Sequence, residues 1–307
     1  MMTAVHEFEV QQGRLLQQFG VKAESIFLEN VPAVEGRVHV LKCGEGPAVV
    51  MVPGFGDPAA MWAPLMAALK GFTLYAVDRP CFGLSGCADH QLAGIRNLAV
   101  RFLEQVLDGL QLNKPLVIGN SIGSLWSFWL ALDRPERVAA MLHVGCPALI
   151  LGTSAPLPLR LASTRVLGYL MTRKPPTQGQ VEGFGRVIRG EDLSKLPALR
   201  DLLLAAQRLP GVGAATRQLL RTVVRLRGAR PEVALGEAEL SQVRQPVRLI
   251  WGEKDAFGSP DIGEAASRII PRCDFYVIPG GGHVPWVGYP GEVGQAALPF
   301  LRTHSAS

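Results

Sequence analysis

Residues 115–124 read PLVIGNSIGS, and no other stretch restricts the fold of this chain so tightly. A strand-type run, Leu116-Val117-Ile118, meets Gly119-Asn120-Ser121-Ile122-Gly123 and passes straight into the helical stretch LWSFWLAL. A serine on so sharp a strand-to-helix turn has a strained backbone. Side chains two residues before or after it would strike the neighbouring strand or helix, so both positions need glycine. The helix that follows aims its first N–H groups and positive dipole end at the serine, where an oxyanion would develop. Gly-x-Ser-x-Gly also arises by chance in ordinary strand-to-helix loops, and five residues alone leave that structural reading on equal terms. The remainder of the chain has to separate the two.

Strand-like runs over 25–28 and 37–41 flank turn material at 32–36, the pattern of a hairpin. His39 falls within that alternation and reads as structural. Ala48-Val49-Val50-Met51-Val52 is a continuous apolar run suited to a strand buried on both faces, and it ends in Pro53-Gly54-Phe55-Gly56-Asp57. A helix-like stretch over 59–69 and a buried strand over 72–77 follow, closed by Asp78-Arg79-Pro80-Cys81. Leu98, Phe102, Val106 and Leu110 then recur on one helical face, and after the serine turn 139–144 is another buried strand. This alternation predicts an α/β fold, a mostly parallel central sheet flanked by helices, with ligands bound beyond the carboxyl ends of the strands. Gly54-Phe55, Asp78, Ser121 and Gly145 all fall at such ends.

Over 147–235 the alternation stops. Helix-like segments at 160–172, 178–188, 196–208 and 214–226 are separated by Pro and Gly, with no strand run among them. They predict a helical cap inserted between two parts of one core, 1–146 and 236–307. The second part resumes with strands at 247–251 and 274–279, which run on to Asp255 and His283, and closes with a helix over 290–302. Ahead of the core, Val10, Leu15, Leu16 and Phe19 have the spacing of a short amphipathic helix.

Charge is unevenly placed. Residues 147–230 hold twelve arginines and two lysines against Glu182, Glu191, Asp192 and Asp201, a net +10 within a chain of net +5. No nucleic-acid motif or interleaved aromatics accompany the arginines, so no nucleic-acid partner is expected. Solvated helix faces are the favoured reading; attraction of anionic substrates or an acidic membrane surface is the other. No stretch is long and apolar enough to span a membrane, and Glu7 and Glu9 near the start are unlike a secretory signal. Five scattered cysteines without a CxxC argue for reduced thiols in a cytoplasm. Six dispersed histidines suggest no metal site, Gly280-Gly281-Gly282 is not followed by a Lys-Ser pair, and no cofactor is expected. A small-molecule substrate is the expected partner, with oligomeric state open.

Nucleophilic catalysis needs a serine, a base to take its proton and an acid to orient that base. Ser121, Asp255 and His283 follow three different strands, in the chain order used by hydrolases that carry their serine on such an elbow. Glu253 and Asp78 compete with Asp255 as the acid, but Asp78 precedes the serine. With these residues in view, the chain resembles the α/β-hydrolase superfamily, in its cap-bearing branch of esterases, haloperoxidase-like proteins and meta-cleavage-product hydrolases. The matching stretches are VVMVPGFG, AVDRPCFGLS, VIGNSIGS, LIWGEKDAF and IPGGGHVPW. The resemblance implies an oxyanion hole made by the backbone N–H groups of Phe55 and Ile122. Two departures stand out: Pro53 replaces the usual histidine before Gly54, and Cys81 stands where glycine is common and could line the pocket.

The expected activity is cofactor-independent cleavage of a hydrophobic carboxylic ester through an acyl-enzyme. Carbon–carbon bond (meta-cleavage-product) hydrolysis is the alternative, and a non-catalytic ligand-binding protein the third. Haloalkane dehalogenases and epoxide hydrolases use aspartate where Ser121 stands, and the latter need two cap tyrosines where this segment has only Tyr169. Carbon–carbon hydrolases share Gly-Asn-Ser but commonly place Trp directly after the histidine, where this chain has Val284, with Trp286 two residues later. They also hold the substrate carboxylate with a cap arginine, for which Arg186 or Arg189 are candidates. Gly54, Asn120, Tyr169, Arg186, Arg189, Val284 and Trp286 are the candidate substrate contacts. Trp126 and Trp129 read as core.

Overall fold

Eight of the apolar runs pair into one sheet in the computed structural model, which describes residues 3–305. In chain order the strands are β1 (Glu24–Leu28), β2 (Val38–Cys43), β3 (Ala48–Val52), β4 (Thr73–Val77), β5 (Leu116–Gly119), β6 (Met141–Val144), β7 (Val224–Arg225), β8 (Gly228–Ala229), β9 (Val247–Gly252) and β10 (Cys273–Ile278). The large sheet runs β1-β2-β4-β3-β5-β6-β9-β10, antiparallel at β1–β2 and β2–β4 and parallel elsewhere. The α/β expectation with a mostly parallel sheet is therefore met. β3, β5 and β6 are the middle of the sheet and are apolar almost throughout, as strands covered by helices on both faces must be.

From β3 the chain goes outward to β4, then returns to the other side of β3 to form β5. The order reverses between these neighbours, where Val52 pairs with Gly119. A crevice forms at such a reversal, beyond the carboxyl ends of the strands. All five tryptophans are buried in the core: Trp62, Trp126, Trp129, Trp251 and Trp286 are each at most 1 % exposed, which leaves none for a solvent-facing site.

Helices occupy most of the span between β6 and β9, with three local departures from expectation. The segment expected as one helix over 160–172 is two, Leu157–Ala162 and Arg165–Thr172, because the chain turns at Ser163-Thr164. Helix Gln178–Phe184 runs on into a wider π turn, Gly185–Arg189, that stops at left-handed Gly190. Helix Val212–Val223 gives way to the β7–β8 ribbon, a correction to the strand-free expectation; Leu226-Arg227 supplies its turn. Entry to and exit from this insertion are tied together, with Leu235 N–H donating to Leu149 O at 2.8 Å. The amphipathic helix Ala4–Gln18, capped by Thr3, packs on insertion helix Pro197–Arg208, where Arg208 pairs with Glu7 at 2.5 Å.

Candidate active site

Ser121 sits at the bend between β5 and the helix Ile122–Asp133. Its backbone sits at φ 51°, ψ −117°, a region that costs a non-glycine residue about 1–3 kcal/mol and persists only where the surroundings enforce it. They do so through Asn120 N–H to Val52 O (3.1 Å), Gly123 N–H to Asn120 O (2.7 Å) and Ala148 N–H to Ser121 O (3.0 Å). The two glycines are sterically required. A Cβ on Gly119 would lie 2.8 Å from Ser124 Cα, and one on Gly123 would lie 2.1 Å from Val52 O.

His283 and Asp255 come together from the ends of β10 and β9. The imidazole Nδ1 lies 2.9 and 3.0 Å from the two Asp255 oxygens. Those oxygens also accept N–H bonds from Cys146 and Phe257, each at 2.9 Å, so the carboxylate cannot rotate. The His283 ring stacks on Phe257 with centroids 4.0 Å apart. Its backbone is held at both ends: His283 N–H donates to Arg189 O at 2.9 Å, and Asn120 Nδ2 donates to His283 O at 3.1 Å. Ser121 and His283 line one small cavity of about 50 Å3 together with Phe55, Asp57, Asn120 and Arg189. Neither Phe55 N–H nor Ile122 N–H has an acceptor among the described residues. Such an arrangement can pass a proton from a hydroxyl to an imidazole and offer two donors to a developing oxyanion.

The loop after β3 is braced by a residue to which the sequence assigned no role. Arg79 is fully buried and donates to Pro53 O at 3.0 Å and to Gly54 O at 2.7 Å, a guanidinium clamp on the loop backbone. Burial pulls its pKa down to about 10, against the opposing charge of Asp57. Asp57 was likewise unassigned; it is buried and 2.5 Å from the Arg189 guanidinium. The only cue in the sequence was a charged residue placed directly beside each of two strand-end loops, at Asp57 and at Arg79.

The remaining candidates are spread more widely. Gly54 packs against Asn120 and Ser121, and a Cβ on it would lie 2.3 Å from Asn120 Oδ1. Asn120 lines the cavity but spends its amide on Val144 O and His283 O. Tyr169 lines a second cavity of about 820 Å3, bounded by the insertion and by Phe55-Gly56 after β3, and Arg189 lines both. Arg186 is exposed and lines neither. Val284 and Trp286 are in the core; Trp286 stacks on Trp62 at 4.2 Å and donates to Met61 O. Asp78 receives Ala59 and Leu84 N–H groups and contacts His39 at 2.6 Å, a structural pair, while Glu253 accepts from Gly280 N–H. Cys81 is buried outside both cavities, and burial pushes its thiol up to about 12.

This fold and site define an α/β hydrolase. The Alpha/beta hydrolase family model matches residues 49–296, and the chain belongs to that family. It is 26 % identical over 277 residues to a pimeloyl-[acyl-carrier protein] methyl ester esterase of Shewanella oneidensis, covering 86 % of this chain and 94 % of that one. It is 29 % identical over 262 residues to a 2-hydroxy-6-oxononadienedioate/2-hydroxy-6-oxononatrienedioate hydrolase of Cupriavidus pinatubonensis, covering 81 % and 85 %. Among solved structures, carboxylesterase CesB (YbfK) from Bacillus subtilis superposes with a TM-score of 0.75 at 21 % identity, over 97 % of this chain and 98 % of that one. Relatives named as an ester esterase and as an oxononadienedioate hydrolase are thus at similar distance. No helix among the described residues is long and apolar enough to cross a membrane.

Proposed function

We propose that the protein is a cofactor-independent serine hydrolase that cleaves carboxylic esters of hydrophobic small molecules. The observation carrying this reading is the shared cavity of Ser121, on its strained elbow, and His283, held by Asp255. In this mechanism His283 Nε2 takes the Ser121 proton as Oγ attacks the ester carbonyl. The Phe55 and Ile122 N–H groups stabilise the tetrahedral oxyanion, and His283 then gives the proton to the departing alcohol. Water, activated by the same imidazole, releases the acid from the acyl-enzyme. Asp255 fixes the tautomer that puts the lone pair on Nε2 and offsets the imidazolium charge.

In this reading residues 147–235 form a cap over the two core segments 1–146 and 236–307. The 820 Å3 cavity shares Phe55, Leu159, Phe184, Ile188, Arg189 and Leu220 with the small one, and would take the acyl body. Carbon–carbon hydrolysis is the second reading, supported by the Cupriavidus relative. It needs a free cation for the substrate carboxylate close to Ser121, and Arg189, the cap arginine lining the small cavity with Ser121, is already neutralised by Asp57. That pairing favours a neutral ester group beside Ser121. Assaying p-nitrophenyl esters of increasing chain length beside a ring-fission dienoate tests both readings. We expect ester turnover, lost in Ser121→Ala, with KM falling as the acyl chain lengthens; dienoate turnover with inert esters would reverse the assignment.

A further inference from the structure

Exposed aliphatic side chains are concentrated on one part of the insertion. Leu157, Val166, Leu167, Tyr169, Leu170 and Met171 are each 42–70 % exposed, and only four other large hydrophobics among the described residues are comparably exposed. All six belong to helices Leu157–Ala162 and Arg165–Thr172. The second helix is packed inside out relative to an ordinary surface helix, which buries its apolar face. Its inward anchors are small or polar. Gly168 lies so close to Ala162 that a Cβ would sit 2.2 Å from the Ala162 carbonyl oxygen, and Thr172 Oγ1 accepts from Arg217 at 2.7 Å. The aliphatic side is left facing outward.

Cations bracket this face. Arg165 stands at its start and Arg173 and Lys174 at its end; all three are exposed, and none has an ion-pair partner among the described residues. No acidic residue occurs between positions 146 and 181. A patch of this kind on a soluble monomer marks an interaction surface. Its aliphatic centre offers almost no hydrogen-bonding groups to a protein partner, whereas an aliphatic stripe with basic ends suits a helix lying in the headgroup region of an anionic bilayer.

We propose that the Leu157–Thr172 face docks the protein on an anionic lipid surface. Tyr169, Met171, Arg173 and Lys174 at this face also line the 820 Å3 cavity, so an acyl chain leaving the lipid meets the cavity where the protein is docked. Docking itself is independent of the hydrolase assignment; delivery of a lipid-dissolved ester into the cavity rests on it.

Co-sedimentation with vesicles of equimolar phosphatidylglycerol and phosphatidylcholine tests the docking. The wild type should sediment with these vesicles, bind phosphatidylcholine vesicles at least about tenfold more weakly, and be released by salt. The triple variant Leu157→Ser, Val166→Ser, Leu170→Ser alters residues that line neither cavity. It should lose vesicle affinity by at least about tenfold while hydrolysing a soluble short-chain ester as the wild type does. Ser121→Ala should still bind vesicles, which separates failure of docking from failure of the hydrolase reading. Unchanged binding by the triple variant, no preference for anionic lipid, or a dimer that buries this face in light scattering overturns the proposal. Saturable binding to a soluble acidic protein without vesicle binding overturns it as well.

Discussion

Arg189 joins the insertion to both sides of the candidate site: its guanidinium lies 2.5 Å from the Asp57 carboxylate, and its carbonyl accepts the His283 N–H at 2.9 Å. Both side chains of the ion pair are nearly buried, at 9 % and 3 % exposure. A pair in this setting contributes little net stability, yet removing one partner strands the other charge. Asp57→Asn should therefore cost about 3–5 kcal/mol in urea unfolding, and Arg189→Met a similar amount. The double variant should recover much of that loss. Asp57→Asn should also free Arg189 for anions and lower KM for esters bearing a carboxylate near the scissile bond. Additive losses in the double variant would show that the two residues are not coupled.

Asp255 accepts two backbone N–H bonds as well as facing His283, so it has no orientation in which an amide fits. Asp255→Asn puts an NH2 against a donor and favours the wrong imidazole tautomer. We expect kcat to fall by roughly 10^3–10^4 and unfolding free energy to fall by about 1–3 kcal/mol. Steady-state kinetics with thermal melting would show both effects.

Gly54→Ala tests the loop proposed to carry the Phe55 oxyanion donor. Its new Cβ would meet Asn120 Oδ1 at 2.3 Å and Ser121 Cβ at 3.3 Å, while Arg79 holds the loop from the other side through Pro53 O and Gly54 O. The loop must move, and the Phe55 N–H with it. A loss of about 10^2–10^3 in kcat with little change in KM is expected; an unchanged kcat would exclude Phe55 as an oxyanion donor.

Glu191, two residues beyond Arg189, introduces a pH dependence. Burial raises its pKa from 4.5 to about 7, and its Oε1 has no partner among the described residues. An unfolded chain releases this proton near pH 4.5 and the folded one near 7, so its contribution makes stability fall as pH rises across that window. Buried His143, with its pKa lowered by burial to about 3, acts with the opposite sign below 6.5. Comparing the wild type with Glu191→Gln isolates the carboxyl: the change in melting temperature on going from pH 5 to pH 8 should be more positive in the variant than in the wild type.

The sheet and the strand-end residues were legible because their signals are local. Short strand-type runs leading to Gly54-Phe55, Ser121, Asp255 and His283 can be read without knowing how distant segments meet. Parallel pairing then brings those ends to one edge. The insertion was legible as helical but not in detail. The turn at Ser163-Thr164, the π turn at Gly185–Arg189 and the ribbon after Val223 all depend on tertiary packing, such as Gly168 against Ala162. The Asp57–Arg189 pair joins residues far apart in sequence, and twelve arginines in the segment gave no reason to single one out. Nearness to His283 in sequence suggests Trp286 as a substrate contact, but the short helix Pro285–Gly288 turns it back onto Trp62.

The central claim is that Ser121 is acylated during turnover. Intact-protein mass spectrometry after reaction with a fluorophosphonate, followed by peptide mapping, tests it most directly. The account predicts one adduct per chain, on Ser121, with ester hydrolysis lost in parallel and no adduct on Ser121→Ala. Ester hydrolysis that persists in Ser121→Ala, or an adduct mapped to any other residue with Ser121 unmodified, would contradict it.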